Sequence, residues 1–277
     1  ELPPDYDFDG SSLFIGGSES DYVLEEDISL INYHFPNSTV AYIEGAGHWV
    51  HATNSALLRY QYARYLLGRQ ELENAKAQFD ILVREPQPSA DHLISAALVD
   101  IELSQPASAL VHLDRVLSGR QRINDAYFFR GLALIQVQDT AQALDAFARV
   151  APSTNYTRAL REAANLLISD GDINATNGFF ERQRVAHPQG REISFNLHAD
   201  TLEALGSGEA RNVLTTALSE FPQSTRLLFA RATLLERLGL FNQAEADYRQ
   251  ILSLAPGDAG ALNALGYALT NNTTRFS

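Results

Sequence analysis

The stretch LLFARATLLERLGLFNQAEADYRQILSLAP, residues 227–256, decides the fold of this chain, because its spacing of small and large residues recurs throughout. Three columns of residues return at a step of 33 or 34 positions. The first column holds mostly small residues, at Ala63, Ala97, Gly131, Ala164, His198, Ala232 and Gly266. The second lies twelve positions later, at Ala75, Ala109, Ala143, Thr176, Ala210 and Ala244, and the third adds a large residue four positions on, at Phe79, Leu113, Phe147, Phe180, Leu214 and Tyr248. Small residues where two helices cross, with a large residue one turn later, predict a stack of helical hairpins.

The composition excludes several classes of function. The 277 residues carry a formal net charge of −13 and a pI of about 4.9. Such an acidic chain is a poor partner for nucleic acid phosphates or for an anionic membrane surface. No apolar run approaches the roughly 18 residues of a membrane-spanning helix, and no cysteine is present for a disulfide or a zinc site. We therefore expect no nucleic acid partner, no membrane span, no metal and no cofactor.

The chain divides into two unlike parts. Residues 1–54 lack the repeat and predict a strand over 11–15, a helix over 24–35 and a second strand over 39–44, which is the unit of a parallel sheet. Residues 55–277 predict only helices, with prolines at the ends of several units. The expected fold is mainly α: a solenoid of about six and a half hairpins, the last one incomplete, after a short α/β segment. An incomplete last hairpin would expose apolar surface, so self-association through this edge is a further expectation.

The helical part resembles the tetratricopeptide repeat family. Within the opening stretch, the residues that carry the resemblance are Ala232, Leu235, Gly239, Ala244, Tyr248 and Pro256, and ALNALGYAL begins another unit at residue 261. Residues 229–276 are also similar to tetratricopeptide lipoproteins of the proteobacterial outer membrane, some of which are adaptors for a periplasmic protease. The resemblance implies a non-catalytic scaffold or adaptor that binds a protein or peptide, located in the bacterial periplasm or at the outer membrane, with the cytoplasm as the alternative.

The first part resembles the end of an α/β-hydrolase of the small carboxylesterase type. The resemblance rests on SSLFIGGSESDYV at 11–23 and HFPNSTVAYIEGAGHWVHA at 34–52. It implies that His48 corresponds to the general base and Asp21 to the acid that orients it. Catalysis would also need a serine on a Gly-x-Ser-x-Gly turn, and the chain contains no such motif. We expect no catalytic residues, with a hydrolase fragment or fusion as the alternative function.

One residue per hairpin is expected to face the groove of the solenoid, three positions before the first column. These residues are Tyr60, Ile94, Phe128, Arg161, Phe195, Phe229 and Asn263. Four of the seven are aromatic, which would suit a peptide lying along the groove. The same spacing is equally compatible with rings that pack between neighbouring hairpins as core, and the sequence leaves both interpretations open.

Arginines and asparagines of the fourth to sixth hairpins form a sharper pattern. Arg161, Asn165, Asn196 and Arg226 have spacings of 4, 31 and 30, similar to the carboxylate clamp of chaperone-binding tetratricopeptide domains. Two cations and two amides that converge can hold a terminal carboxylate by charge-assisted hydrogen bonds. Ala230 stands where the last basic residue of the clamp belongs, and Arg158 could compensate. The pattern predicts binding of a partner's free C-terminus, against the alternative of solvated side chains at helix surfaces.

A calcium-loop mimic lies between two predicted helices. Asp170, Asp172, Asn174, Thr176 and Glu181 occupy the ligand positions of a calcium-binding loop, but the required glycine is replaced by Ala175. We interpret this segment as a hairpin turn that leads into a helix.

Overall fold

The computed structural model describes residues 10, 12–21, 23–43 and 55–271. The chain forms two compact units, Glu1–Gln138 and Asp139–Ser277. Most contacts between residues lie within one unit or the other. The division falls inside the predicted repeat array, and the boundary expected at residue 54 stays a prediction.

The N-terminal segment is a strand, a helix and a parallel strand, as expected. Strands β1 (Ser12–Gly17) and β2 (Ser38–Ile43) pair in parallel, with Ser12 opposite Ser38 and Gly17 opposite Ile43. Between them a short turn at Glu25–Asp27 leads into helix α1 (Ile28–His34). On one face of the pair, the rings of Phe14 and Phe35 meet edge to face at 5.0 Å.

The first repeat helix covers the other face of this strand pair. Ile15 of β1 packs with Leu57 and Leu58 of helix α2 (Ser55–Gly68). Parallel strands are normally buried on both faces, so α2 serves two purposes. It forms the first helix of a hairpin and it closes the small sheet.

Hairpins fill the rest of the first unit. Helix α2 pairs with α3 (Leu72–Leu82), α4 (Ala90–Glu102) pairs with α5 (Pro106–Gly119), and α6 (Ile123–Gln136) packs on both α4 and α5. Proline at the first position of α5 lacks the N–H that would be unsatisfied there. The Ser89 hydroxyl accepts a hydrogen bond from the His92 amide and caps α4.

The second unit follows the same plan. Its helices are α7 (Thr140–Ala148), α8 (Tyr156–Asp170), α9 (Ile173–Ala186), α10 (Arg191–Ala204), α11 (Ala210–Glu220), α12 (Thr225–Arg237), α13 (Phe241–Leu254) and α14 (Ala259–Asn271). The Asp172 carboxylate accepts hydrogen bonds from the amides of Asn174 and Ala175 and caps α9. The calcium-like segment is therefore a hairpin turn followed by a helix, as interpreted from the sequence.

Among residues 55–271, six of the turns between consecutive helices hold one residue in the left-handed conformation. These residues are Gln70, Ser104, Gln138, Gly171, Gly206 and Gly239, with φ between 56° and 80°. Only glycine adopts this conformation without steric cost. Gln70, Ser104 and Gln138 therefore carry a steric cost that the three glycines do not.

The three residue columns form the core, which confirms the expected hairpin stack. Every second- and third-column residue is at most 2% exposed. The first column is buried as well, apart from Gly266, which is exposed on α14. Helix α14 itself packs against α13. Helix α14 leaves Leu262 and Tyr267 52% and 67% exposed. None of the helices in 28–34 and 55–271 combines the length and apolarity needed to span a membrane.

Candidate functional site

Two aromatic residues expected in the groove belong to the core. Phe128 and Phe195 are 1% and 4% exposed, so their predicted role in peptide binding has to be corrected. The physical reason is a covering side chain: the Arg184 guanidinium lies 4.3 Å from the centroid of the Phe195 ring, and Phe128 packs at 5.2 Å against Phe129.

Tyr60 occupies an intermediate position. Its half-buried ring meets Phe79 edge to face at 6.1 Å and lies 5.1 Å from the ring of His92. Its hydroxyl is 3.4 Å from the Ser95 hydroxyl in the next hairpin. Tyr60 thus joins two hairpins, and its role in peptide binding stays a prediction.

Phe229 is the aromatic residue of this row that lines an open pocket. The pocket has a volume of about 500 Å³ and is lined by Asn196, Thr225, Arg226, Phe229, Ala230 and Asp258. Phe229 is 38% exposed, and its ring meets Tyr248 edge to face with 5.7 Å between the ring centroids. We call this site the Arg226 pocket, and it contains three predicted binding residues, Asn196, Arg226 and Phe229.

Glycine at position 260 keeps this pocket open. A Cβ at Gly260 would lie 3.5 Å from Cε2 of Phe229 and 3.2 Å from Oδ1 of Asp258. The glycine therefore leaves space beside the Phe229 ring that a side chain would occupy.

The polar groups of the Arg226 pocket differ in how far they are hydrogen-bonded or ion-paired within the chain. Arg226 is exposed, and among residues 12–21, 23–43 and 55–271 no carboxylate oxygen lies within 4.0 Å of its guanidinium. Asn196 donates from Nδ2 to Oδ2 of Asp200 over 3.0 Å. Asp258 accepts from the Ala261 amide over 2.8 Å and caps α14. An anionic ligand would thus find a guanidinium without an ionic partner beside an exposed aromatic ring.

The remaining predicted clamp residues lie on α8, outside this pocket. Arg158, Arg161 and Asn165 are exposed. Arg158 donates to Oδ1 of Asn155 over 3.3 Å, within the first turn of its own helix. Of the four residues in the clamp pattern, Asn196 and Arg226 line the pocket, and the part of all four, and of Arg158, in binding stays a prediction.

Asp200 lies beside this pocket, although the spacing of residues in the sequence does not indicate it. It lies one turn after Asn196 on α10 and is exposed. Partial desolvation and the nearby Glu203 raise the pKa of Asp200, while Arg237 and Arg161 act in the opposite direction. Glu203 itself pairs with Arg237 at 2.7 Å across hairpins. The 34-residue separation of that pair was a signal in the sequence, because the repeat step places the two side chains side by side.

A buried polar chain crosses the second unit near α10. The Arg184 guanidinium lies 3.2 Å from Nδ1 of His198, whose Nε2 lies 2.8 Å from the Asn177 side-chain oxygen. Asn177 in turn donates to Glu209 over 2.8 Å. Burial and the Arg184 charge lower the pKa of His198 to about 3, so the imidazole is neutral and structural. No cluster of three histidine, aspartate or glutamate side chains in the described parts of the chain could hold a metal ion.

The two residues implied by the hydrolase resemblance are Asp21 and His48. Asp21 is exposed in the loop after β1. His48 lies outside the described residues.

Comparison with known proteins agrees with both parts of the chain. No protein family model matches it. It is 30% identical over 158 residues to the TPR repeat-containing protein PA4667 of Pseudomonas aeruginosa, covering 56% of this chain and 26% of the relative. The chain thus spans about a quarter of the length of that relative. Over 45 residues it is 49% identical to the sn-1-specific diacylglycerol lipase ABHD11 of Xenopus tropicalis, covering 16% of this chain and 14% of the lipase.

Among solved structures, a tetratricopeptide repeat protein from Parabacteroides merdae is similar to 79% of this chain and 87% of its own, with 16% identity and a TM-score of 0.44. The hairpins, their 34-residue step and the similarity to PA4667 lead to one conclusion. The helical part of the chain is similar to a tetratricopeptide repeat protein, and a short segment resembles α/β-hydrolases.

Proposed function

We propose that this chain is a non-catalytic adaptor that binds the free C-terminus of a partner protein in the Arg226 pocket. The observation that carries the proposal is Arg226 itself, a guanidinium without a carboxylate neighbour in the described parts of the chain, on the same helix as the exposed ring of Phe229. Arginine and aromatic residues dominate the binding energy of protein interfaces. Tetratricopeptide repeats generally serve protein interaction, which supports the same class of function.

The chemistry of the pocket favours one kind of ligand group. A carboxylate can accept from Arg226, from the Thr225 hydroxyl and from the Asn196 amide, which has a second N–H besides the one directed at Asp200. The side chain of the last residue can lie on the Phe229 ring and on the Ala230 methyl group. Together these contacts suit a C-terminal residue with an apolar side chain.

The hydrolase-like segment has no catalytic role in this proposal. The sequence contains no Gly-x-Ser-x-Gly turn to supply an activated serine. The short lipase similarity covers only 16% of the chain, which supports descent of a fragment rather than an active enzyme.

The partner class and the compartment extend the proposal. The similarity of residues 229–276 to tetratricopeptide lipoproteins of the proteobacterial outer membrane supports a location in the periplasm or at the outer membrane, where the partner would be a protease. Cell fractionation tests the location: recovery of the full-length protein in the cytoplasm would contradict it. Self-association through α14 stays a prediction that the molecular mass in solution tests.

The proposal is tested with a library of short synthetic peptides whose C-terminal residues are randomised, prepared once as free acids and once as amides. We expect selected free-acid peptides to bind, and the tightest becomes the reference peptide. Its amide should bind about tenfold more weakly or worse, since a charge-assisted hydrogen bond is lost. Equal affinity of acid and amide, or no free-acid binder, would refute recognition of a C-terminus.

A further inference from the structure

A carboxylate of the chain itself lies at the edge of the Arg226 pocket. Asn196 lines the pocket, and its Nδ2 is 3.0 Å from Oδ2 of Asp200, one turn further along α10. One of the two amide N–H groups that could hold a ligand carboxylate is therefore already engaged by a carboxylate. Any anion bound at Asn196 would lie close to the Asp200 charge.

The surroundings of Asp200 do not neutralise it completely. The charged groups that act on it are Glu203 on the same helix, Arg161 on α8 and Arg237 on α12. Arg237 is already paired with Glu203 at 2.7 Å, and neither arginine lies within ion-pair distance of Asp200. Desolvation and Glu203 outweigh the two cations and raise the pKa of Asp200. The negative charge of Asp200 therefore disfavours a second negative charge of a bound peptide beside it.

We propose that Asp200 is a specificity-determining residue of the pocket, which disfavours acidic C-terminal segments and selects those with a neutral or basic residue before the terminal one. The inference rests on the proposed function, because it concerns the same pocket. Arg226 attracts one carboxylate, and Asp200 penalises a second negative charge beside it. Asp258, at another wall of the pocket, adds to the same penalty.

The expected effect of Asp200 on peptide affinity is modest. Interactions between charges at exposed positions are worth a few tenths to about 1 kcal/mol, which changes affinity about two- to fivefold. We expect a reference peptide with lysine before the terminal residue to bind more tightly than one with asparagine, and the asparagine form more tightly than the aspartate form.

The test compares these three free-acid peptides on wild-type protein and on Asp200→Asn, which keeps an oxygen acceptor for Asn196 and removes the charge. The variant should bind the aspartate peptide about two- to fivefold more tightly than wild type does. The differences in affinity among the three peptides should be smaller for the variant than for wild type. Asp145→Asn removes the same charge from an exposed position on α7 and serves as the control.

A second measurement leaves the chain unchanged. Because the pKa of Asp200 is raised, Asp200 takes up a proton at a higher pH than an ordinary aspartate does. Lowering the pH from about 7 into the range where Asp200 takes up its proton should therefore reduce the difference in affinity among the three peptides more in wild type than in Asp200→Asn. Unchanged discrimination in Asp200→Asn would overturn the inference while leaving the proposed function intact. Loss of free-acid binding in Arg226→Ala is the separate test of the proposed function.

Discussion

Arg231 and Asp247 form a two-pronged ion pair that joins the helix carrying the Arg226 pocket to its neighbour. Nη2 and Nε of Arg231 donate to the two oxygens of Asp247 over 2.7 and 2.8 Å. Asp247 is only 4% exposed. The pair connects α12 to α13 in the interior of one hairpin, and we expect it to fix the position of α12.

Substitution of Asp247 by asparagine should therefore lower the free energy of unfolding. Removing one partner of a largely buried pair leaves the other charge without compensation, and partial exposure of Arg231 reduces the cost to about 1–3 kcal/mol. Urea denaturation followed by circular dichroism measures it. The control is Asp145→Asn on α7, which breaks the exposed pair with Arg149 and should cost less than about 1 kcal/mol. Equal costs would contradict a structural role for the Arg231–Asp247 pair.

His198 predicts a dependence of stability on pH. The unfolded chain binds a proton at this imidazole near its ordinary pKa of about 6.5, whereas the folded protein does so only at about 3. Between these values the unfolded state holds more protons, so the free energy of unfolding falls as the pH is lowered, by about 1.4 kcal/mol per pH unit at most. Denaturation from about pH 7 to about pH 4.5 should show this loss, and His198→Gln should lack it. Parallel pH profiles of the two proteins would exclude the proposed burial of a neutral imidazole.

The left-handed turn residues predict opposite effects of glycine at two serines. Ser104 has a φ of 56°, so Ser104→Gly should raise the free energy of unfolding by up to about 1 kcal/mol. Ser118 lies within α5, where the same change should lower it by about 0.5 kcal/mol. Gly239, with a φ of 73°, should tolerate alanine poorly. Thermal denaturation of the three variants compares them directly, and a destabilised Ser104→Gly would show that this turn is not strained.

Ala230 predicts a gain of binding. It lines the Arg226 pocket at the position where the similar carboxylate clamps have a basic residue. Ala230→Lys should strengthen binding of the free-acid reference peptide about two- to fivefold through one added cation at a partly exposed site. Its effect on the amide should be smaller. Ala246→Lys adds the same charge on α13 at an exposed position outside the pocket, and fluorescence anisotropy of labelled peptides compares the two. Similar gains in both variants would mean that only net charge matters.

The hairpin array was predictable because its physical requirement is local. Helices that cross closely need a small residue at each crossing. Ala63 and Ala97 are such residues, and both are 0% exposed. Their spacing along the sequence is therefore enough to indicate the fold. The existence of β1 and β2 and their parallel pairing followed from two short apolar runs on either side of a predicted helix. The role of α2 in closing that sheet did not follow, because it depends on contacts between distant residues.

The binding face was only partly predictable. Phe195 and Phe229 occupy the same repeat position, and the sequence treats them alike. Whether each ring is accessible depends on its neighbours: Arg184 lies over Phe195, whereas Phe229 lies beside Gly260, which has no side chain. Engagement of Asn196 by Asp200 likewise depends on side-chain placement, which spacing along the chain does not specify.

The most direct test of the account is the affinity of the free-acid reference peptide for Arg226→Ala, measured by isothermal titration. We predict a loss of about tenfold or more, with little change for the amide peptide. Arg211→Ala removes an exposed arginine from α11, outside the pocket, and should bind like wild type. Unchanged affinity of Arg226→Ala for the free acid would contradict the central claim.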